Sequence, residues 1–225
     1  ADPDMYMRVV ERNAKGIVVR GCKVHTTVGP YCDELIVTPC RSLTKEEGDW
    51  SVCFSIPADT KGIHMLIEAA NPTPRKALPA EVEKHGIAHS VTIFDDVLVP
   101  WDRVFLDEEP QLGGRAALLF ALYHRHSYTG CKPAYTDLLM GTTALIAEIS
   151  GIEKQQHYRH KIAEMISVAE LVFASGIAAA HSSTKASSGT QIPDIVYCNV
   201  GRKHAGVNIY HEYEILCDIS GGQPQ

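Results

Sequence analysis

The 225-residue sequence holds seven cysteines but no Cys-x-x-Cys pair. They are scattered, at Cys22, Cys32, Cys40, Cys53, Cys131, Cys198 and Cys217. That pattern lacks the even number and close spacing of a disulfide-stapled secreted domain, so reduced thiols are expected, most of them serving as small apolar core residues. No basic run is longer than a pair. The net charge is −6, from 21 Lys and Arg against 27 Asp and Glu, which argues against nucleic acid as a partner. The longest apolar stretch covers only residues 116–123, short of the ~20 residues of a membrane span, so no membrane partner is expected. There is no internal repeat. The opening Ala1-Asp2-Pro3-Asp4 has neither a basic nor an apolar leader region, and the expected location is cytoplasmic. The last residues, Ser220-Gly221-Gly222-Gln223-Pro224-Gln225, read as a helix end followed by a turn, as in a piece of a longer polypeptide.

What is present is an average globular composition, 45% apolar and 21% charged, and a length suited to one or two domains. Two patterns divide the chain. Residues 5–10 and 16–25 are β-rich and flank Asn13-Ala14-Lys15-Gly16, a hairpin signal. Residues 33–37, 50–56, 90–94 and 97–100 continue the strand pattern, with Asp95-Asp96 as a turn between the last two. Residues 71–86, with three prolines, read as a surface loop. From about Gln111 onward apolar residues recur at helical spacing, over 115–128, 135–150 and 152–182. A polar loop over 182–189 follows, and Pro193 suits the first turn of a last helix that runs to about Asp218. The expected fold class is therefore α+β, with domains at 1–107 (a small barrel or sandwich) and 108–225 (an incomplete helix bundle).

Three segments carry the candidate chemistry. In Tyr123-His124-Arg125-His126-Ser127-Tyr128-Thr129-Gly130-Cys131-Lys132, a helix would put His124, Tyr128 and Cys131 on one face. The helical rise separates the α-carbons of His124 and Cys131 by about 10 Å, too far to chelate one small ion but within reach of a wider cluster. Gly130 offers a break through which Cys131 could swing inward. Lys132 and Arg125 would supply positive charge that favours a thiolate. Spacing alone does not make a metal signature, and a histidine on an inner helix face is commonly a satisfied core residue. Arg20-Gly21-Cys22-Lys23-Val24-His25-Thr26-Thr27 is a strand ending in hydroxyls; it offers short polar groups to a flat cofactor or is simply a strand before a turn. Thr92-Ile93-Phe94-Asp95-Asp96-Val97-Leu98-Val99-Pro100-Trp101-Asp102-Arg103-Val104-Phe105 reads as a structural hinge. His25, His85 and His89 have no partner visible in the sequence.

Taken in order, these three segments resemble the 4-hydroxyphenylacetate 3-hydroxylase and 4-hydroxybutyryl-CoA dehydratase group. The resemblance covers nearly the whole chain, and the His-x6-Cys segment is similar to the dehydratase branch. It implies an acyl-CoA dehydrogenase-like fold, with a middle β-barrel domain, part of a C-terminal helix bundle, and no N-terminal helical domain. It implies FAD and a [4Fe-4S] cluster as cofactors. His124 and Cys131 match two cluster ligands. Tyr128 and Lys132 match an active-site tyrosine and the lysine after the last cysteine, so His124, Tyr128 and Lys132 are the implied catalytic set. His25, Thr26 and Thr27 match a strand end that contacts FAD.

The implied reaction removes water from 4-hydroxybutyryl-CoA to give crotonyl-CoA, with vinylacetyl-CoA isomerisation as a companion activity. The β-hydrogen is not acidic, so one-electron exchange with the flavin after α-proton removal makes it so, and the cluster acts as Lewis acid toward the departing hydroxyl. The implied partners are an acyl-CoA substrate and, in the full-length protein, copies of itself in a homotetramer. The sequence departs from this pattern in two places: the Cys-x3-Cys pair that supplies two further ligands is absent, and His89 stands near the position of a glutamate. The alternatives are an aromatic monooxygenase using reduced FAD, with His124 and Cys131 as accidents of a core helix, and a non-enzymatic remnant.

Overall fold

Asn13-Ala14-Lys15-Gly16 reverses the chain as its turn residues dictate. The Asn13 carboxamide accepts from the Lys15 backbone N–H at 2.9 Å, and Gly16 has a φ of 158° where a Cβ would lie 2.0 Å from the Val99 carbonyl oxygen. The computed structural model describes residues 2–67 and 88–221; the expected loop at 71–86, and His85 with it, lies outside them. The described residues fall into two compact units, divided between Leu118 and Leu119.

The first unit is built of two antiparallel sheets. Strands β1 (Arg8–Asn13), β2 (Gly16–Thr27), β5 (Ile63–Ile67) and β6 (His89–Pro100) lie in the order β1-β2-β6-β5. Strands β3 (Glu34–Val37), β4 (Val52–Pro57) and β7 (Val104–Asp107) form the other sheet, in the order β3-β4-β7. Alternate side chains of both sheets enter one core: Val9, Ile17, Val19, Phe94, Val97 and Val99 from the first, and Leu35, Val37, Val52, Phe54 and Ile56 from the second. Phe54 and Phe94 meet edge to face across it, centroids 5.9 Å apart. Among the described residues each sheet keeps two edges and no ladder joins one sheet to the other. Of the barrel or sandwich expected, the described residues form an open two-sheet sandwich, held by side-chain packing rather than by a closed ring of backbone hydrogen bonds.

Two further expectations are corrected. Asp95-Asp96 is not a turn between strands but a bulge inside one continuous β6. The β2 register passes from Val19↔Val97 to Gly21↔Phe94, so Arg20 alone faces both aspartates. Asp96 takes a φ of 49°, and Arg20 holds it with two hydrogen bonds of 2.7 Å. The segment after Pro100 is likewise no simple lead into a helix, since it makes strand β7. Arg12 of β1 fastens that strand, with its guanidinium 2.9 Å from Asp107 and 3.0 Å from Asp49.

The second unit is helical. Helix α1 (Pro110–Ser150) begins in the first unit and continues into the second, α2 spans Gln156–His181 and α3 Ile195–Ile219, with a short hairpin of β8 (Thr184–Lys185) and β9 (Gln191–Ile192) between α2 and α3. The pattern predicts two helices over 115–150, yet α1 is unbroken through Gly130 and Pro133. Gly151, at φ 68°, ends it. Asp194 caps α3, its carboxylate accepting from the Val196 and Tyr197 N–H groups. The helices share apolar clusters that include Leu139, Met165 and Ile215, and Val168, Val172 and Ala205. By length and mean hydropathy α2 is long and apolar enough to cross a membrane; here its buried side, from Tyr158 to Ala179, packs in the helical unit.

Candidate functional site

The strand end of the first unit is shaped by a bulge. Between Lys23↔Thr92 and Thr26↔Ser90, two β2 residues face one β6 residue. His25 takes a φ of 59° and Val28 one of 62°, conformations that residues with a Cβ adopt only when their surroundings enforce them. The bulge turns His25 out to solvent. Thr26 is held inward, accepting from the Thr92 hydroxyl at 2.9 Å. Thr27 shares a 3.2 Å hydrogen bond with Nδ1 of His89, whose ring lies edge-on to that of His25 at 6.2 Å. Gly29 closes the end because a Cβ there would meet Thr26 Cγ2 at 2.8 Å. His25 and Thr27 therefore stand on an exposed surface, with the Thr26 hydroxyl committed behind them. The contact with His89 was invisible in the sequence, since it joins residues 62 apart.

The helical segment lies wholly in α1 and in the second unit. Because α1 is continuous, Gly130 does not swing Cys131 inward: Cys131 is exposed, its thiol 3.6 Å from the Tyr128 carbonyl. His124 is also exposed and stacks on Phe120 at 6.0 Å. Tyr128 is half-buried against the Val168–Val172–Ala205 cluster, and the Arg202 guanidinium lies 4.6 Å from its ring centre. A Cβ at Gly130 would meet nothing within 4 Å, so the face beside Cys131 is open. His124 and Cys131 supply two donors of the types that hold iron–sulfur clusters. Among the described residues no group of three or more His, Cys, Asp or Glu is placed to hold a metal ion.

Lys132 points the other way. It is 3% exposed and donates to Thr136 Oγ1 at 2.6 Å and to both Glu212 oxygens at 2.8 and 2.6 Å. Its charge is neutralised there, so it is not free to tune Cys131. Arg125 is, by contrast, bonded to the neutral Asn199 at 2.6 Å. Glu212 and Arg202 are functional candidates that sequence reading missed. A signal for Glu212 existed: the buried positions of α3, Cys198, Gly201, Ala205, Glu212, Ile215 and Ile219, are spaced by three, four and seven, so an acid falls in phase with the core stripe. Thr129, Thr136 and Thr143, all buried, repeat at seven in α1 in the same way.

Residues 1–106 match the N-terminal model, and residues 114–225 the C-terminal model, of 4-hydroxyphenylacetate 3-hydroxylase. The chain belongs to the 4-hydroxyphenylacetate 3-hydroxylase family. Within it, the chain is 33% identical to the 4-hydroxybutyryl-CoA dehydratase/vinylacetyl-CoA-Δ-isomerase of Clostridium aminobutyricum, over 98% of this chain and 46% of that protein. It is 34% identical to the oxygenase component of 4-hydroxyphenylacetate 3-monooxygenase from Thermus thermophilus, over 86% and 40%.

Among solved structures, an oxygen-tolerant archaeal 4-hydroxybutyryl-CoA dehydratase from N. maritimus superposes with a TM-score of 0.91 at 33% identity, over 98% of this chain and 45% of that one. A 4-hydroxyphenylacetate 3-monooxygenase oxygenase component, solved with FAD and 4-hydroxyphenylacetate, gives 0.80 at 30% identity, over 96% and 46%. Glutaryl-coenzyme A dehydrogenase, at 14% identity and a TM-score of 0.70 over 96% and 51%, shares the fold. The fold is thus acyl-CoA dehydrogenase-like, and the chain spans about half the length of the curated relatives it matches.

Proposed function

We propose that the chain is part of a flavin- and iron–sulfur-dependent dehydratase that converts 4-hydroxybutyryl-CoA to crotonyl-CoA, with vinylacetyl-CoA isomerisation as a second activity. The observation that carries this reading is the exposed face of α1, where His124 and Cys131 stand beside open space with Tyr128 between them in sequence. Its support is the similarity to dehydratases over 98% of the chain. The bound flavin would supply one-electron exchange and the cluster a Lewis acid.

The chain's own residues divide that work. His25 and Thr27 offer the flavin an exposed strand end that the Thr26–Thr92 hydrogen bond holds in shape. His124 and Cys131 would hold the cluster as two of its ligands, and the remaining ligands would have to come from outside the described residues. An imidazole is a weaker iron ligand than a thiolate, so the exposed His124 would be the more weakly held of the two donors and would be suited to accept the substrate α-proton. The Tyr128 hydroxyl orients the substrate carbonyl, its ring steadied by Arg202. The exposed apolar side chains of the helical unit, among them Leu138, Ile149, Phe173 and Tyr210, favour a homotetramer in the full-length protein.

The second reading is an aromatic monooxygenase, favoured by the 34% identity to the Thermus thermophilus enzyme. Iron, acid-labile sulfide and FAD, measured anaerobically in protein from the intact reading frame, separate the two. About four irons and four sulfides per subunit with FAD support the dehydratase. FAD without iron moves the assignment to the monooxygenase and leaves His124 and Cys131 as surface residues.

A further inference from the structure

The turn of α1 that carries Cys131 is intrinsically the weakest part of its helix. Gly130 loses more backbone freedom on folding than any other residue would, and Pro133 lacks the N–H that would bond to the Thr129 carbonyl. The helix nevertheless runs through this turn without a break, and the contacts that hold it come from the other two helices. Thr129 is wedged where α2 and α3 approach: a Cβ on Gly176 would lie 2.2 Å from its hydroxyl, and one on Gly201 2.9 Å from its methyl. Lys132, between Gly130 and Pro133, is clamped by Glu212 of α3. The pair is 2% and 1% exposed at its side chains. All three ammonium protons are used, on Thr136 and the two Glu212 oxygens, and the Thr136 hydroxyl reaches Glu212 at 3.1 Å.

We propose that Glu212 is a positioning residue: acting through Lys132 and Thr136, it fixes the turn from Thr129 to Pro133 and so sets the direction in which His124, Tyr128 and Cys131 stand. Lys132 then contributes by being held rather than by passing a proton. The clamp follows from the buried network alone, while the chemistry of the face it aims rests on the dehydratase reading.

The test is peptide-resolved hydrogen–deuterium exchange on the full-length protein, comparing wild type, Glu212→Gln and Glu212→Asp. Glutamine keeps the shape, removes the charge and turns an amide donor toward Lys132. Exchange over residues 128–136 is expected to rise by about tenfold or more in Glu212→Gln while residues 140–150 stay within about twofold. Glu212→Asp, which keeps the charge but shortens the reach by one methylene, restores only part of the protection and leaves a smaller rise confined to the same residues. In turnover, Glu212→Gln lowers kcat by about 100-fold with KM nearly unchanged, the signature of misplacement rather than lost binding.

Unchanged exchange at 128–136 in a folded Glu212→Gln protein overturns the proposal. Should that variant not fold, Glu212→Asp decides: a rise confined to 128–136 supports the clamp, and a uniform rise over all three helices, or none, overturns it. Exchange needs neither iron nor substrate. A wild-type protein without iron or turnover therefore removes the dehydratase reading and leaves the clamp readable, whereas unchanged exchange in an iron-bearing, active protein removes the clamp alone.

Discussion

Gly201 shows at the residue scale why the helices of the second unit approach as they do. A Cβ there would sit 2.1 Å from the Ser175 hydroxyl and 2.9 Å from Thr129 Cγ2, so Gly201→Ala is expected to lower stability by about 1–3 kcal/mol through overpacking. Adding Ser175→Ala removes the closer contact and should recover part of that loss in thermal melts. His211 makes a pH-dependent contribution. Hydrogen bonds to Glu164 and Glu214, at 2.9 and 3.1 Å, push its pKa above the ordinary 6.5. A raised folded-state value means the stabilisation is complete below about 6.5 and is lost as pH rises through the folded pKa. All three groups are exposed, so the effect is small. Melts of His211→Gln should fall below wild type at pH 5.5 and coincide with it at pH 9; a difference that does not depend on pH would remove the role of protonation.

At the scale of elements, the bulge in β6 and the proline in α1 are places where local chemistry and the element disagree. Asp96 holds a φ of 49°, tolerable for Asp or Asn and strained for a β-branched residue. Asp96→Val should lower the melting temperature several times more than Asp96→Asn, which keeps the backbone preference and loses only the exposed pair with Arg20. Equal losses would mean that the pair, not the backbone, matters. Pro133 acts in the opposite sense. Pro133→Ala returns an N–H to the Thr129 carbonyl and is expected to stabilise α1 by up to about 3 kcal/mol. Denaturant titration measures this, and no gain would show that the surrounding helices already compensate for the missing hydrogen bond. Sequence periodicity placed helical segments on both sides of Gly130 and Pro133 but not across them, because tertiary contacts at Thr129 and Lys132 carry the helix through. β5 and β7 were also illegible: each is short, and each exists because β6 or β4 offers it a hydrogen-bonding edge.

For the molecule as a whole, the helical unit exposes large apolar residues on every helix, including Ile149 at 78% and Tyr210 at 80%. The 225-residue chain is expected to self-associate at high protein concentration, and Ile149→Glu with Tyr210→Glu to reduce that association. Sedimentation velocity over a concentration series checks both; a clean monomer throughout would show that these faces need no cover.

Residue pattern by itself determined the division into a strand region and a helical region and the hairpin at Asn13–Gly16, because these depend on local periodicity and turn chemistry; Pro193, expected in the first turn of the last helix, instead lies outside it, before the Asp194 cap. The pattern also put His124, Tyr128 and Cys131 on one helical face, since 3.6-residue geometry follows from the chain alone. Only tertiary structure decided that the sheets form an open sandwich, that Asp95-Asp96 bulges opposite a single arginine, that Thr27 meets His89, and that Lys132 turns inward to Glu212. Each of these joins residues 62 to 80 positions apart or depends on which sheet edges meet. No local preference encodes such a choice, which is made when burial of apolar surface brings distant segments together and the buried polar groups must find partners.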